Sequence, residues 1–537
     1  MKVAFFGVDG RFTLQYLFEV FQNKIYVEGL VNALKMGVFS TLGAMLIAIP
    51  LAVVTDRFVF PGKKILSSFV LLPLILPPFV GAIGVKQFLG QSGTLNAFLT
   101  SIGLMHPDAP ADWLGESRLL GVIVMNALHL YPIIFLNVSA ALANLDPALD
   151  EAAENLGCRG WRRFRRVTLP LVMPGIFAGA TIVFIWSFTE LGVPLIFDVA
   201  RITPVQIFQG IKELGNNPFP YALVTIMLVS TIVLFTISKL LFGRSSFSTA
   251  GRASMAYAAR PLPRRWQAYA CSAALALVTF VAILPHLGVV LVASSTDWYG
   301  TVLPEALTFQ HFSDALGHEI TLQSIWNSLK YSVLATGIDV VLGVAIAYIV
   351  VRTALPGRHV LDVFAMLPLA VPGLVLAFGY LAMTRDGQFF DFLMLGENPI
   401  LLLVIAYAVR RLPYVVRSAA AGFQQTSASL EEAARNLGAT PMRALRKITL
   451  PLIAANLVAG ALLAFAFAML EVSDSLILAQ QQAHFPITKA IYGLYRTLGD
   501  GPYLAAALGT WAMLFLAVTI IGASILIGRK LGMLFRV

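Results

Sequence analysis

The chain has 537 residues, of which 58% are hydrophobic and only 12% charged, and its mean hydropathy is +0.80. Soluble globular chains carry about 25% charged residues, so this composition and length exclude a single water-soluble core. The formal charge of +10 does not point to nucleic acid, because Lys and Arg fall in short loops between apolar runs, the positive-inside pattern of a membrane protein.

The N-terminal stretch MKVAFFGVDGRFTLQYLFEV lacks the apolar run and cleavage site of a signal peptide. Beyond it, runs of about 18 or more apolar residues predict spanning helices, since about 20 residues cover a ~30 Å hydrocarbon layer. Eleven spans are predicted, near 29–55, 65–89, 118–142, 172–198, 221–242, 267–294, 328–351, 361–384, 398–420, 452–479 and 504–528. Arg57, Lys63 and Lys64 mark the first loop as cytoplasmic. Arg162, Arg163, Arg165 and Arg166 mark a charged loop, Arg244, Arg252, Arg260, Arg264 and Arg265 a long middle loop, Arg352 and Arg358 another, and Arg529, Lys530 and Arg536 the tail. If each span crosses once, all of these share one side, placing the N-terminus outside and the C-terminus inside. Cys158 and Cys271 have no CxxC or metal-type spacing, so neither a disulfide framework nor a cysteine metal site is predicted.

The chain repeats itself. Glu151-Ala152-Ala153 recurs as Glu432-Ala433-Ala434, an offset of 281 residues (432 − 151). Pro132 and Pro413, Leu169-Pro170 and Leu450-Pro451, and Glu190 and Glu471 share that offset. Upstream the offset is 295: Asn32 matches Asn327, Pro61-Gly62 matches Pro356-Gly357, and Pro73 and Pro77 match Pro368 and Pro372. The 14-residue difference (295 − 281) is an insertion around 81–118. Two homologous modules, 1–242 and 267–537, are therefore predicted, joined by a basic linker at 243–266. The first lacks a counterpart of the span near 267–294, so either the protein has eleven spans or a further one precedes this start. Six spans separate the two charged loops, which puts both on one face and makes the repeats parallel; some secondary carriers share that arrangement.

Each charged loop opens with a helix-forming segment, LDPALDEAAENLG or TSASLEEAARNLG. Asp146 and Ser427 or Ser429 are the candidate N-caps. Acidic residues follow in the early turns, where the helix dipole favours them, and Gly157 and Gly438 are natural stops. A second short basic helix is expected next, then Leu-Pro and the following span. An amphipathic loop with snorkelling arginines explains one such segment better than it explains two at matched spacing.

The full pattern is Glu-Ala-Ala, three residues, Gly, nine residues, Ile or Val, one residue, Leu-Pro. It occurs as Glu151, Ala152, Ala153, Gly157, Val167, Leu169, Pro170 and as Glu432, Ala433, Ala434, Gly438, Ile448, Leu450, Pro451. On these residues the chain resembles the permease subunits of type I ABC importers. Its fused two-module form, with SFTELGVPLIFD after the first loop, looks most like the ferric iron permeases among them. The resemblance implies an all-α polytopic fold of two parallel-repeat transmembrane modules in a bacterial inner membrane. It also implies that each loop is a coupling helix seated in a groove on a cytoplasmic ATPase subunit, so that two such subunits and an extracytoplasmic solute-binding protein are the partners. No G-x-x-x-x-G-K-[ST] phosphate loop occurs, so the chain is not expected to cradle ATP itself; the resemblance implies that ATP is used by the partners and that no cofactor, metal or catalytic residue belongs to this chain. Related permeases serve thiamine, polyamines or aminoethylphosphonate, which leaves the substrate open between ferric iron and a small organic solute. An intramembrane enzyme would need paired His–carboxylate ligands or HExxH within spans, and none is visible.

Charged residues inside spans are costly and point to function. Glu190 and Glu471 are repeat equivalents, and Asp474 lies one turn beyond Glu471. They form a candidate gate or cation site; the plainer reading is an acid capping a helix break. Arg410 and Arg411 oppose His129 and Leu130 in the repeat and are candidates for a polar path suited to a phosphonate. Pro132 and Pro413 are expected to kink their spans.

Overall fold

A computed structural model describes residues 2–6, 11–115, 118–213, 217–242, 260–262, 264–385 and 387–527. Most of the basic linker expected at 243–266, and Arg529, Lys530 and Arg536 of the tail, lie outside the described residues. Contacts divide the chain into two compact units, residues 1–309 and 310–535.

The first unit is built on α1 (Lys24–Arg57), α4 (Leu119–Ala143) and α6 (Leu169–Phe188), which pack on one another. Between α1 and α4 lies a bent pair of segments, Lys63–Ile75, which begins with α2 (Lys63–Phe69), and Pro78–Ser101, which begins with α3 (Pro78–Leu89), meeting at 94°. The charged loop between α4 and α6 carries α5 (Pro147–Asn155). After α6 come the short α7 (Gly192–Ile196), α8 (Phe219–Phe242) and α9 (Arg265–Ala293). By repeat α9 is the leading helix of the second module, yet it packs within the first unit against α3, where a Cβ at Gly288 would come within 3.1 Å of the Gly84 Cα. The packing boundary therefore falls after this helix, whereas the repeat boundary falls before it.

The second unit repeats the plan: α10 (Glu319–Arg352), α11 (Arg358–Ala370) bent by 99° to α12 (Gly373–Met383), then α13 (Ile400–Gln425), the loop helix α14 (Ser429–Asn436), α15 (Leu450–Met469), the short α16 (Ser473–Leu478) and the last helix α17 (Gly501–Ile527). Here α10, α13 and α15 form the packed core. The limits of α1 and α10 differ by 295 at both ends, and those of α6 and α15 by 281 at both ends. Backbones approach closely where small residues allow it. A Cβ on Gly179 would lie 2.9 Å from the Ile134 Cα, and one on its equivalent Gly460 would lie 2.6 Å from the Ser418 Cβ.

Among the described residues eight helices are long and apolar enough to cross a membrane, or up to ten if each bent pair is one span. The remaining predicted span, near 398–420, is α13, which at 26 residues is long enough but carries Arg410, Arg411 and Arg417. Large apolar side chains such as Leu46, Val341 and Phe364 face outward, as a lipid-facing surface requires. The spans predicted near 65–89 and 361–384 exist but are not straight. Leu76 and Val371 each precede a proline and take extended conformations, with ψ of 136° and 129°, because the proline ring disfavours a helical residue before it.

Candidate functional site: two matched loops and a buried charge network

The two charged loops have the same anatomy. In the first, Asp146 caps α5, its Oδ1 accepting from the Ala148 N–H at 2.9 Å. In the second, α14 starts after Ala428 without a side-chain cap, and the Ser427 hydroxyl accepts from the Ser429 N–H at 3.3 Å; neither candidate serine is the N-cap itself. Both helices stop on a left-handed glycine, Gly157 at φ +75° and Gly438 at φ +86°. The Cys158 N–H reaches the Ala153 carbonyl at 2.8 Å and the Gly157 N–H reaches that of Glu154 at 3.0 Å. Ala439 to Ala434 (3.0 Å) and Gly438 to Arg435 (2.9 Å) repeat the pattern, the paired closing bonds of a helix ended by a glycine.

Glu151, Ala152, Glu432 and Ala433 are exposed, whereas Ala153 and Ala434 are buried. Two residues in each loop, outside the repeated motif, stand out. Leu156 and Leu437 are 87% and 90% exposed, and five residues on, Trp161 and Met442 are 74% and 69% exposed. Both pairs sit at the 281 offset beside the glycine, a signal present in the sequence. Each loop thus projects two apolar side chains from charged surroundings, the make-up of an interface core inside a polar rim.

The expected second basic helix is not separate. Gly160–Arg163 and Pro441–Ala444 run through a five-residue π turn, Phe164–Thr168 or Leu445–Thr449, straight into α6 or α15. The Leu169 N–H bonds Phe164 O and the Leu450 N–H bonds Leu445 O. Pro170 and Pro451 follow at once and supply no N–H, so the wider turn takes up the gap in the ladder.

The candidate pathway residues separate into two groups. Glu190 caps a helix break: its Oε1 accepts from the N–H groups of Gly192 at 3.0 Å and Val193 at 3.3 Å, at the start of α7. Its equivalent Glu471 does something different. Glu471 Oε1 accepts from Arg410 Nη1 at 3.0 Å, and its Oε2 pairs with Arg411 Nη2. Arg411 also donates to Phe467 O at 3.0 Å and lies over the Phe467 ring, 5.5 Å from its centre. Asp474 is fully buried, 3.9 Å from Arg410 Nη1. Tyr407 bonds Ser475 at 2.6 Å, and the Thr488 hydroxyl donates to Glu471 O at 2.7 Å. The second unit therefore brings Arg410, Arg411, Glu471 and Asp474 into one network.

Arg410 also lies against Gly373, at the bend between α11 and α12. In the first unit the same repeat position is His129, whose Nδ1 is 2.7 Å from Pro73 O beside the bend of that unit. The sequence reading also missed Asp339, a lone acid in the apolar run of α10, which is fully buried with no hydrogen-bond partner for either oxygen among the described residues.

Two three-helix membrane cores, each carrying a bent pair and a loop helix ended by a left-handed glycine, define a duplicated multi-pass membrane permease. The chain belongs to the family of binding-protein-dependent transport system inner membrane components, which matches residues 44–247 and 339–525, once in each module. Members are the membrane permease components of ABC transporters, not catalytic subunits. A putative ferric transport system permease protein of Haemophilus influenzae is 28% identical over 478 residues, covering 87% of this chain and 71% of the relative. The ferric transport system permease protein of Actinobacillus pleuropneumoniae is 28% identical over 471 residues, covering 85% of this chain and 64% of that relative. A spermidine/putrescine transport system permease protein of Haemophilus influenzae is 34% identical over 163 residues, covering 30% of this chain and 56% of the relative.

Proposed function

We propose that this permease imports ferric iron delivered by an extracytoplasmic solute-binding protein. In this reading the two charged loops face the cytoplasm together with the C-terminus. They dock onto two ATPase subunits that bind and hydrolyse all the ATP, and the chain itself needs no cofactor. The observation that carries the proposal is the duplicated loop. The same helix, left-handed glycine and exposed apolar pair occur twice, 281 residues apart, as expected if one fused chain presents two equivalent docking surfaces. Closure of the ATPase pair then moves both loops, and the two cores switch between discrete inward- and outward-open arrangements.

The ferric assignment rests on relatives matched over most of the chain. The phosphonate alternative loses its main support, because Arg410 and Arg411 are both turned onto Glu471. A polyamine remains the second reading, favoured by the shorter match to the spermidine/putrescine permease. The test is ATP-driven uptake into vesicles holding this chain, its cognate ATPase and its cognate binding protein. Labelled ferric iron, putrescine and aminoethylphosphonate are offered in turn. Saturable iron uptake is expected; uptake of either organic solute without iron refutes the ferric assignment and leaves the importer architecture standing.

A further inference from the structure

The underside of each loop is fastened to its core by residues at the same three repeat positions, with the bonds shared out differently among them. In the first unit Arg57, the last residue of α1, is buried and pairs with Asp150 in the first turn of α5. The other end of its guanidinium, Nη2, reaches Thr168 Oγ1 at 3.4 Å. In the second unit Arg352, the last residue of α10, lies 3.4 Å from Glu431 Oε1 in the first turn of α14, and the Thr449 hydroxyl donates to that same oxygen at 2.9 Å. Arg352 Nη2 also donates to Thr426 O at 2.5 Å, where the loop begins. The two arginines are related by 295, and the carboxylates and threonines by 281. Asp56 lies 3.8 Å from Arg57, but its equivalent is Val351, so it is no part of the repeated set.

An arginine at the end of a spanning helix is ordinarily explained by the helix dipole and by charge bias in the flanking loop. That account has the head group in water. Here both arginine side chains are about nine-tenths buried, on carboxylates 93 and 79 residues further along the chain (150 − 57 and 431 − 352). Burying such a pair costs desolvation that only good geometry offsets, and replacing it by apolar packing is often neutral for stability. Two occurrences at matched positions therefore call for a role other than stability. Each set joins three elements: the end of the opening helix, the first turn of the loop helix, and the last residue of the π turn that leads into the next core helix.

The geometry points to a duplicated latch, Arg57–Asp150–Thr168 and Arg352–Glu431–Thr449, that passes displacement of each loop into two core helices at once. Arg57 and Arg352 are positioning residues: they act through the loop and touch no substrate. This inference rests on the loops being ATPase docking sites.

The test uses the whole transporter in vesicles, with three readouts: co-purification of the ATPase with the permease, ATP turnover, and iron taken up per ATP hydrolysed. The variants are Arg57→Ala with Arg352→Ala, and the charge exchanges Arg57→Asp with Asp150→Arg and Arg352→Glu with Glu431→Arg. The alanine variant is expected to keep its ATPase and its ATP turnover while uptake per ATP falls roughly twofold to thirtyfold per latch, the range of measured coupling energies. The charge exchanges are expected to restore a large part of it. If the alanine chain does not assemble, Arg→Lys at both positions replaces it, keeping the charge and losing the two-pronged reach. Unchanged uptake per ATP, or charge exchanges that rescue nothing, overturns the latch. Failure of the unaltered chain to hold its ATPase overturns the docking reading instead.

Discussion

Replacing Gly157 and Gly438 separates conformation from space in the charged loops. A Cβ built at either position meets nothing within 4 Å, so an added side chain has room. The backbone is the obstacle, with φ of +75° and +86°. An L-residue forced into that region costs about 1–2 kcal/mol. At 1.4 kcal/mol per factor of ten, this shifts the population of the correctly ended loop helix by about fivefold to thirtyfold for each loop. Asparagine tolerates the left-handed region better than alanine although it is larger. Titration of the ATPase onto nanodisc-held permease should therefore rank glycine best, asparagine next and alanine worst, with the membrane core still folded by circular dichroism. If asparagine weakens binding more than alanine, crowding at an interface governs the site and the conformational argument is wrong. If both substitutions leave binding unchanged, the glycine stops are irrelevant to docking.

Other outcomes follow from the same geometry. Glu471→Ala strips the shared partner from Arg410 and Arg411 and should cost about 3–5 kcal/mol, whereas the helix cap that Glu190→Ala removes is worth about 1 kcal/mol; equal falls in the thermal midpoint in detergent would show the two acids to be equivalent after all. Leu156→Asp with Leu437→Asp should leave that midpoint within its error while weakening ATPase capture, and a large loss of stability would place these leucines in the fold instead of on a docking surface. Gly460→Leu should overpack the contact with Ser418 by about 1–3 kcal/mol and lower the yield of folded protein, which a normal yield would contradict.

Much of this architecture is legible in the sequence because repetition constrains it twice. The 281 and 295 offsets place α6 on α15 and α1 on α10 to the residue, and hydropathy alone finds the spans. What hydropathy cannot carry is direction. A run of apolar residues is equally apolar when it turns through 94° at Pro77, so the bent pairs read as straight spans. Leu-Pro reads as a boundary between two helices, although a π turn carries the chain through it. Repeat equivalence also misleads at Glu190 and Glu471, because an acid's role depends on what faces it. His129 and Leu130 stand in the first module where Arg410 and Arg411 stand in the second, and it is Glu471 that meets those two arginines within its own module. Arg57 and Arg352 read in the sequence as markers of loop charge, and their positions there do not reveal that the side chains turn inward onto Asp150 and Glu431.

The central claim is that one fused chain presents two equivalent docking loops, and the mass of the purified complex tests it most directly. The permease is isolated in nanodiscs with excess cognate ATPase and weighed by native mass spectrometry, both unaltered and with Gly438→Ala combined with Leu437→Asp. Two ATPase subunits per chain are predicted for the unaltered protein, and a clear loss of the second for the altered one. A single ATPase bound to the unaltered chain, or two retained after the second loop is disabled, would contradict the account.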